Sequence, residues 1–195
     1  MAVKKCKSIM QSVGSCQGKP VLPGIRRKAW AISKSDIAKW PKYKRDENGR
    51  VTSSVLEGDL ELVADAKMVY VEFDSNRSQH TSDPQGEWPS QTQLNKLNLV
   101  CPGISEEESA MSAFFNNNDL LWVFQDKQGK FRFVGSEKWE TKTTVAQDNG
   151  QGPTGQTGTT VAIEATDEIV SPFYVGKLDT EEGEIDCSTG DFASE

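Results

Sequence analysis

Leu120-Leu121-Trp122-Val123-Phe124, then Gln125-Asp126-Lys127-Gln128-Gly129-Lys130, then Phe131-Arg132-Phe133-Val134-Gly135, is the stretch that decides the fold class. Five consecutive apolar or aromatic residues suit a fully buried strand. The polar hexapeptide around Gly129 is a turn, and Phe131, Phe133 and Gly135 alternate with Arg132 and Val134 on the way back, which predicts a β-hairpin. Just upstream, Ser105 is followed by Glu106, Glu107 and Glu108. A serine oxygen there accepts from an orphan backbone N–H, and the carboxylates favour the positive end of the helix dipole. Ala110, Met111, Ala113, Phe114 and Phe115 supply an apolar stripe. Asn116, Asn117 and Asn118 then compete with helical hydrogen bonding, so the helix is expected to stop after two or three turns.

Short strands are expected on either side. Ala29 to Ile32, Val51 to Val55, Leu60 to Val63 and Met68 to Phe73 read as strands, the last with Val69, Val71 and Phe73 on one face. Ser33 to Trp40 has a short helical look, with Ser35 as cap and Pro41 as stop. Asp74 to Gln93 is a polar stretch holding Pro84, Gly86 and Pro89, and it reads as a long loop. Trp88 in its middle either folds back on its own domain or anchors in a neighbouring subunit. The apolar pattern resumes at Leu94, Leu97, Leu99 and Val100. Ala146 to Thr160 reads AQDNGQGPTGQTGTT, with glycines at 150, 152, 155 and 158. It lacks the Lys-Ser/Thr pair and the strand-to-helix context of a phosphate loop, so it reads as a flexible or subunit-bridging tract, and Val161 to Thr166 follows as a strand. The fold class expected is mainly β (α+β), a β-sandwich or small barrel with one short flanking helix and long loops. Its parts are a flexible basic arm over 1–23, a single β-rich domain over 24–177, and an acidic mobile tail over 178–195.

Charge supports that division. Residues 1–50 carry 13 Lys or Arg against 3 Asp or Glu, while the remainder carries 9 against 26, for a net charge of −7 over 195 residues. Such a basic front and acidic back are neutralised either within one fold or between copies meeting head to tail. The four cysteines, Cys6, Cys16, Cys101 and Cys187, form no CxxC pair, which argues against a zinc site and for free thiols in a reducing cytoplasm. No run approaches the roughly 18 apolar residues needed to span a bilayer, so no membrane anchor is expected.

The residues of catalysis are thinly represented. His80 is the sole histidine and sits in a Ser/Gln/Thr-rich stretch, where a solvated side chain is expected. Any Ser-His-Asp or Cys-His device would have to use it. Glu106 to Glu108 is explained by helix capping, and Asp126, Asp148 and Asp167 fall near turns, as Asp commonly does. The chain is therefore read as non-enzymatic, with no catalytic, metal or cofactor residues. Arg26, Arg27, Lys28, Lys39, Lys42, Lys44 and Arg45 lie near Trp30, Trp40 and Tyr43 and could contact phosphates. The acidic remainder would repel the same polymer, and no nucleic-acid reader motif accompanies them.

The order from Glu106 to Tyr174 resembles tail tube proteins of phages and prophages of gut-dwelling Bacteroidetes. The likeness is one of pattern over the C-terminal half. It lies in a helix ending Ala-Phe-Phe-Asn-Asn-Asn, the strand Leu-Leu-Trp-Val-Phe, the hairpin Asp-Lys-Gln-Gly-Lys-Phe-Arg-Phe-Val-Gly, a Gly/Thr tract, then Val-Ala-Ile-Glu-Ala-Thr and Pro-Phe-Tyr. The basic arm and acidic tail depart from it. The resemblance implies a virion structural protein, made in the bacterial host cytoplasm and placed in the tail. Identical subunits would form stacked rings, other tail proteins would be further partners, and DNA would pass through the channel without specific binding. Long loops bridge one ring to the next in that family, which makes Trp88, Pro89, Gly150, Gly152, Gly155 and Gly158 the subunit-interface candidates. The alternative reading is a monomeric carbohydrate- or protein-binding β-domain, for which Trp40, Trp88 and Trp139 would be stacking candidates.

Overall fold

The computed structural model describes residues 20–192, together with residues 12, 14, 17 and 18. Most of the basic arm expected over 1–23 lies outside the described residues. In chain order the strands are β1 (Ile25–Ser33), β2 (Ile37–Lys39), β3 (Lys42–Arg45), β4 (Val51–Glu57), β5 (Glu61–Leu62), β6 (Val69–Glu72), β7 (Gln79–Gln85) and β8 (Thr92–Pro102). After helix α1 (Glu106–Asn117) come β9 (Leu120–Asp126), β10 (Phe131–Val134), β11 (Thr141–Asp148), β12 (Gly158–Asp167), β13 (Phe173–Tyr174), β14 (Lys177–Thr180), β15 (Gly183–Asp186) and β16 (Asp191–Phe192).

The fold is mainly β with one α-helix among the described residues. It is a sandwich and not a closed barrel. A seven-stranded sheet in the order β3-β4-β13-β10-β9-β1-β6 faces a four-stranded sheet in the order β11-β12-β8-β7. β9 shows why its sequence is apolar at every position. Leu120, Trp122 and Phe124 point into the core shared with the four-stranded sheet, where they meet Leu97, Leu99 and Ile163. Leu121 and Val123 point the other way, into a second core with Trp30, Met68 and Phe133. A strand buried on both faces has no polar alternation to show. The expected hairpin from β9 to β10 is present and pairs Phe131 with Gln125 and Val134 with Trp122, so that β9 runs two residues further than expected, through Gln125 and Asp126. Across the first core, Trp122 donates its indole N–H to Thr143 Oγ1 at 3.1 Å, which satisfies a buried donor and ties the two sheets.

The second core is covered by a three-stranded sheet, β14-β15-β16, and by the β2-β5 pair. Here the structure differs from the acidic mobile tail expected from residue 178. Leu178, Ile185 and Cys187 are buried against the large sheet, while the carboxylates between them face outward. Burying each such apolar side chain contributes roughly 1.5–3 kcal/mol, which outweighs the charge of a solvated acidic turn. Two further expectations are corrected. Ser33 to Trp40 holds only a 3-10 turn at Lys34–Asp36 before β2 begins. The polar loop expected over 74–93 contains β7, which pairs along its length with β8 from Gln79↔Asn98 to Gln85↔Thr92.

Helix α1 begins at a capping box in which Ser105 Oγ accepts from Glu108 N–H at 3.1 Å and Glu108 Oε2 accepts from Ser105 N–H at 2.8 Å. It packs Phe115 edge-on against Trp122, with ring centroids 5.2 Å apart. Asn116 Oδ1 accepts Val145 N–H at 2.7 Å and Asp119 Oδ1 accepts Thr141 N–H at 2.8 Å, so this corner of the molecule caps the outer edge of β11. An edge strand covered in this way is withdrawn from pairing with another chain.

Candidate assembly surfaces

The interface candidates lie on two hairpin tips. Trp88 and Pro89 sit on the β7–β8 connection, residues 86–91, and the tip is held by Ser90 N–H donating to Glu87 O at 2.9 Å. Trp88 is 86% exposed and does not fold back on its own domain. The glycine tract forms the β11–β12 connection, residues 149–157. It is a compact turn. Gly150 N–H donates to Asp148 Oδ1 at 2.9 Å, Gly155 N–H to Gly152 O at 3.2 Å, and Thr157 Oγ1 to Asn149 O at 3.0 Å. Gly155 passes so close to Gln151 that a Cβ there would lie 2.3 Å from the Gln151 nitrogen. Gly158 is different, being buried in the first ladder position of β12 opposite Pro102.

β8 and β12 run antiparallel, with Gly158↔Pro102 at one end of the ladder and Asp167↔Gln93 at the other. The glycine turn therefore projects beyond one end of the four-stranded sheet and the Trp88 turn beyond the opposite end. At about 3.4 Å per residue along β8 the two tips are about 30 Å apart. The sequence read both as bridging loops, and the fold does not bring them together.

A second feature lies on the large sheet beneath the Trp88 end. Trp40, Tyr43, Arg45, Phe133, Lys138 and Asp167 line a cleft of about 290 Å³. Tyr43 donates its hydroxyl hydrogen to Asp167 Oδ2 at 2.6 Å, and burial pushes the Asp167 carboxyl above its usual range. Burial, then the Asp167 charge, also push the Tyr43 phenol far up. Glu168 sits beside it with Arg45 at 2.8 Å and Lys138 in contact, and the hydrogen bond from Arg45 is the main cause that lowers its carboxyl. This is a closed set of partners with an aromatic wall. Sequence reasoning missed it because Tyr43 and Asp167 are far apart in the chain. Of the other stacking candidates, Trp139 is half-buried and Trp88 stands alone on its tip.

His80, expected to be solvated, lies in β7 with its ring 4.8 Å from Phe124 and its Nε2 2.7 Å from Ser171 Oγ. Burial, helped by Arg132, lowers its pKa to about 4, so the imidazole is neutral at physiological pH. Cys101 and Cys187 are buried free thiols. Among the described residues no group of three or more His, Cys, Asp or Glu is placed to hold a metal ion, and no helix is long and apolar enough to cross a membrane. No family model, no curated protein and no solved structure matches the chain.

Proposed function

We propose that this chain is a structural subunit that assembles with copies of itself into stacked rings, in the manner of the phage tail tube proteins its C-terminal half resembles. The observation that carries the reading is the placement of two built turns at opposite ends of one sheet, one of them bearing a tryptophan that is 86% exposed. A contact between different patches on the two ends is heterologous and repeats without closing on itself along the stacking axis, which is what a tube requires. A lone exposed tryptophan suits an anchor that is buried only when a neighbour arrives. In this reading the partners are identical copies and other tail proteins, the site of action is the virion tail, and an acidic channel lets DNA slide because like charges repel.

Trp88→Ala tests the axial contact. The substitution removes no contact of the described core, so the variant folds with an unchanged thermal midpoint. Its self-association measured by sedimentation velocity weakens by about 30-fold, the equivalent of roughly 2 kcal/mol for a central aromatic anchor. Unaltered association would remove Trp88 from the interface. The alternative, a carbohydrate-binding β-domain, draws support from the aromatic cleft of Trp40 and Tyr43, and glycan binding by a monomer that is lost on Trp40→Ala would favour it.

A further inference from the structure

We propose that the outer edge of β6 is a docking slot for the basic N-terminal segment of a neighbouring copy, which adds a short strand to the large sheet. The inference rests on the self-assembly reading and names the segment and the surface it uses.

Among the described residues β6 is the last strand of its sheet and pairs only with β1. Phe73 N–H donates to Arg27 O at 2.9 Å, so by strand alternation the backbone groups of Val69 and Val71 face β1. Those of Tyr70 and Glu72 face outward. Both ends of this outer edge are occupied. Met68 N–H donates to Asp179 O at 2.9 Å and Met68 O accepts from Glu181 N–H at 3.1 Å, while Asp74 N–H donates to Val100 O at 2.8 Å. Between them, among the described residues, the N–H groups of Tyr70 and Glu72 donate no hydrogen bond and their C=O groups accept none. An open edge flanked by closed ends offers about four backbone hydrogen bonds to an incoming strand of a few residues.

This edge opens on a groove of about 500 Å³ between β6, α1 and the four-stranded sheet. Its floor is apolar, formed by Val71, Cys101, Met111, Phe115, Val145 and Val161. Its rim carries Glu72, Glu107, Glu108 and Glu181, and no Lys or Arg among the described residues lines it. Glu72 has one cation nearby, Lys28 at 3.6 Å, which is shared with Glu182 at 2.8 Å. An acidic rim around an apolar floor fits a strand that is basic on one face and small or apolar on the other.

The first 23 residues carry four lysines, Lys4, Lys5, Lys7 and Lys19, and no carboxylate side chain. In an extended conformation Cys6, Ser8 and Met10 share one face and Lys5, Lys7 and Ile9 the other. The fourteen steps of chain from Met10 to Gly24 can span roughly 45 Å when extended, enough to reach an adjacent molecule. A neighbour is the better donor. Gly24 O is fixed to Lys127 N–H at 3.1 Å on the β9–β10 turn. The chain's own segment would have to pass over the closed Asp74 end and run parallel to β6, whereas a neighbour's segment enters from either end.

The test uses the full-length protein. Residue-resolved amide exchange is followed from dilute solution to the concentration at which sedimentation shows association. In the dilute state Tyr70 and Glu72 exchange fast while Val69, Val71 and Phe73 are protected. On association, exchange at Tyr70 and Glu72 slows at least tenfold. A synthetic peptide of residues 1–19 in excess competes, weakening association while itself protecting the same two amides. The variant Lys4→Glu/Lys5→Glu/Lys7→Glu associates at least tenfold more weakly, and Glu72→Lys/Glu181→Lys restores part of the loss. Association that leaves Tyr70 and Glu72 in fast exchange and ignores the lysine reversals overturns the slot while the self-assembly reading stands. Protection of those amides that does not depend on concentration also overturns it, because the chain's own segment then fills the edge. A wild-type chain that remains monomeric throughout overturns both.

Discussion

His80 carries a measurable consequence of its burial. The folded protein takes up its proton only near pH 4, against an ordinary value of 6.5. Between those values the unfolded chain binds more protons than the native one, so stability falls as the pH drops through 6.5 and the loss levels off below about 4. For a partly exposed ring the contribution is on the order of 2 kcal/mol. Urea midpoints at pH 7 and pH 4.5 are expected to differ more for the wild type than for His80→Gln, in which the carboxylate background is retained; equal differences would place His80 in solvent. The glycine turn makes a second expectation at this scale. Gly155→Ala pushes a methyl group to 2.3 Å from backbone and is expected to cost about 1–3 kcal/mol. Gly152→Ala meets nothing within 4 Å and bears only the cost of its positive φ of 68°, about 1 kcal/mol. Differential scanning calorimetry is expected to rank them in that order, and the reverse order would mean the turn is not built as described.

The three-stranded sheet over the second core turns the C-terminal segment from a tail into a structural element. Leu178 is fully buried within it, so Leu178→Ala is expected to destabilise the protein by about 2–5 kcal/mol in urea unfolding. A change below 0.5 kcal/mol would return residues 178–192 to the status of a tail. Elements whose side chains declare their surroundings were legible in the sequence. Ser105 and Glu108 announced α1, Leu120 to Phe124 announced a strand buried on both faces, and Phe131 with Phe133 announced its return. β7 was not, since Gln79 to Gln85 contains no aliphatic residue and is a strand because β8 beside it supplies a ladder. The three-stranded sheet was hidden for a different reason. Its apolar residues Leu178, Ile185 and Cys187 are spread among five carboxylates, and apart from Tyr174 the core they cover is made of residues more than 40 positions upstream. The cleft of Tyr43 and Asp167 and the open edge of β6 share that origin, since both depend on which distant strands lie side by side. The glycine tract was recognised as a connection, but its internal hydrogen bonds make it firmer than a flexible loop.

At the scale of the whole molecule, the sheet borders differ in a way that bears on association. β11 is capped by Asn116 and Asp119, β7 carries Asp83 and Pro84, which has no N–H to donate, and β6 is left open over a groove with an acidic rim. The two hairpin tips mark the ends of one axis, and the open edge lies on the large sheet between them in chain topology. In the proposed assembly such a subunit would be completed by its neighbours along the stack through the tips and around the ring through the edge. Negative-stain electron microscopy of concentrated wild-type protein tests that most directly. Rings or tubes of uniform diameter are predicted, and Trp88→Ala is expected to leave rings without long tubes. Single particles of monomer size at every concentration would contradict the account.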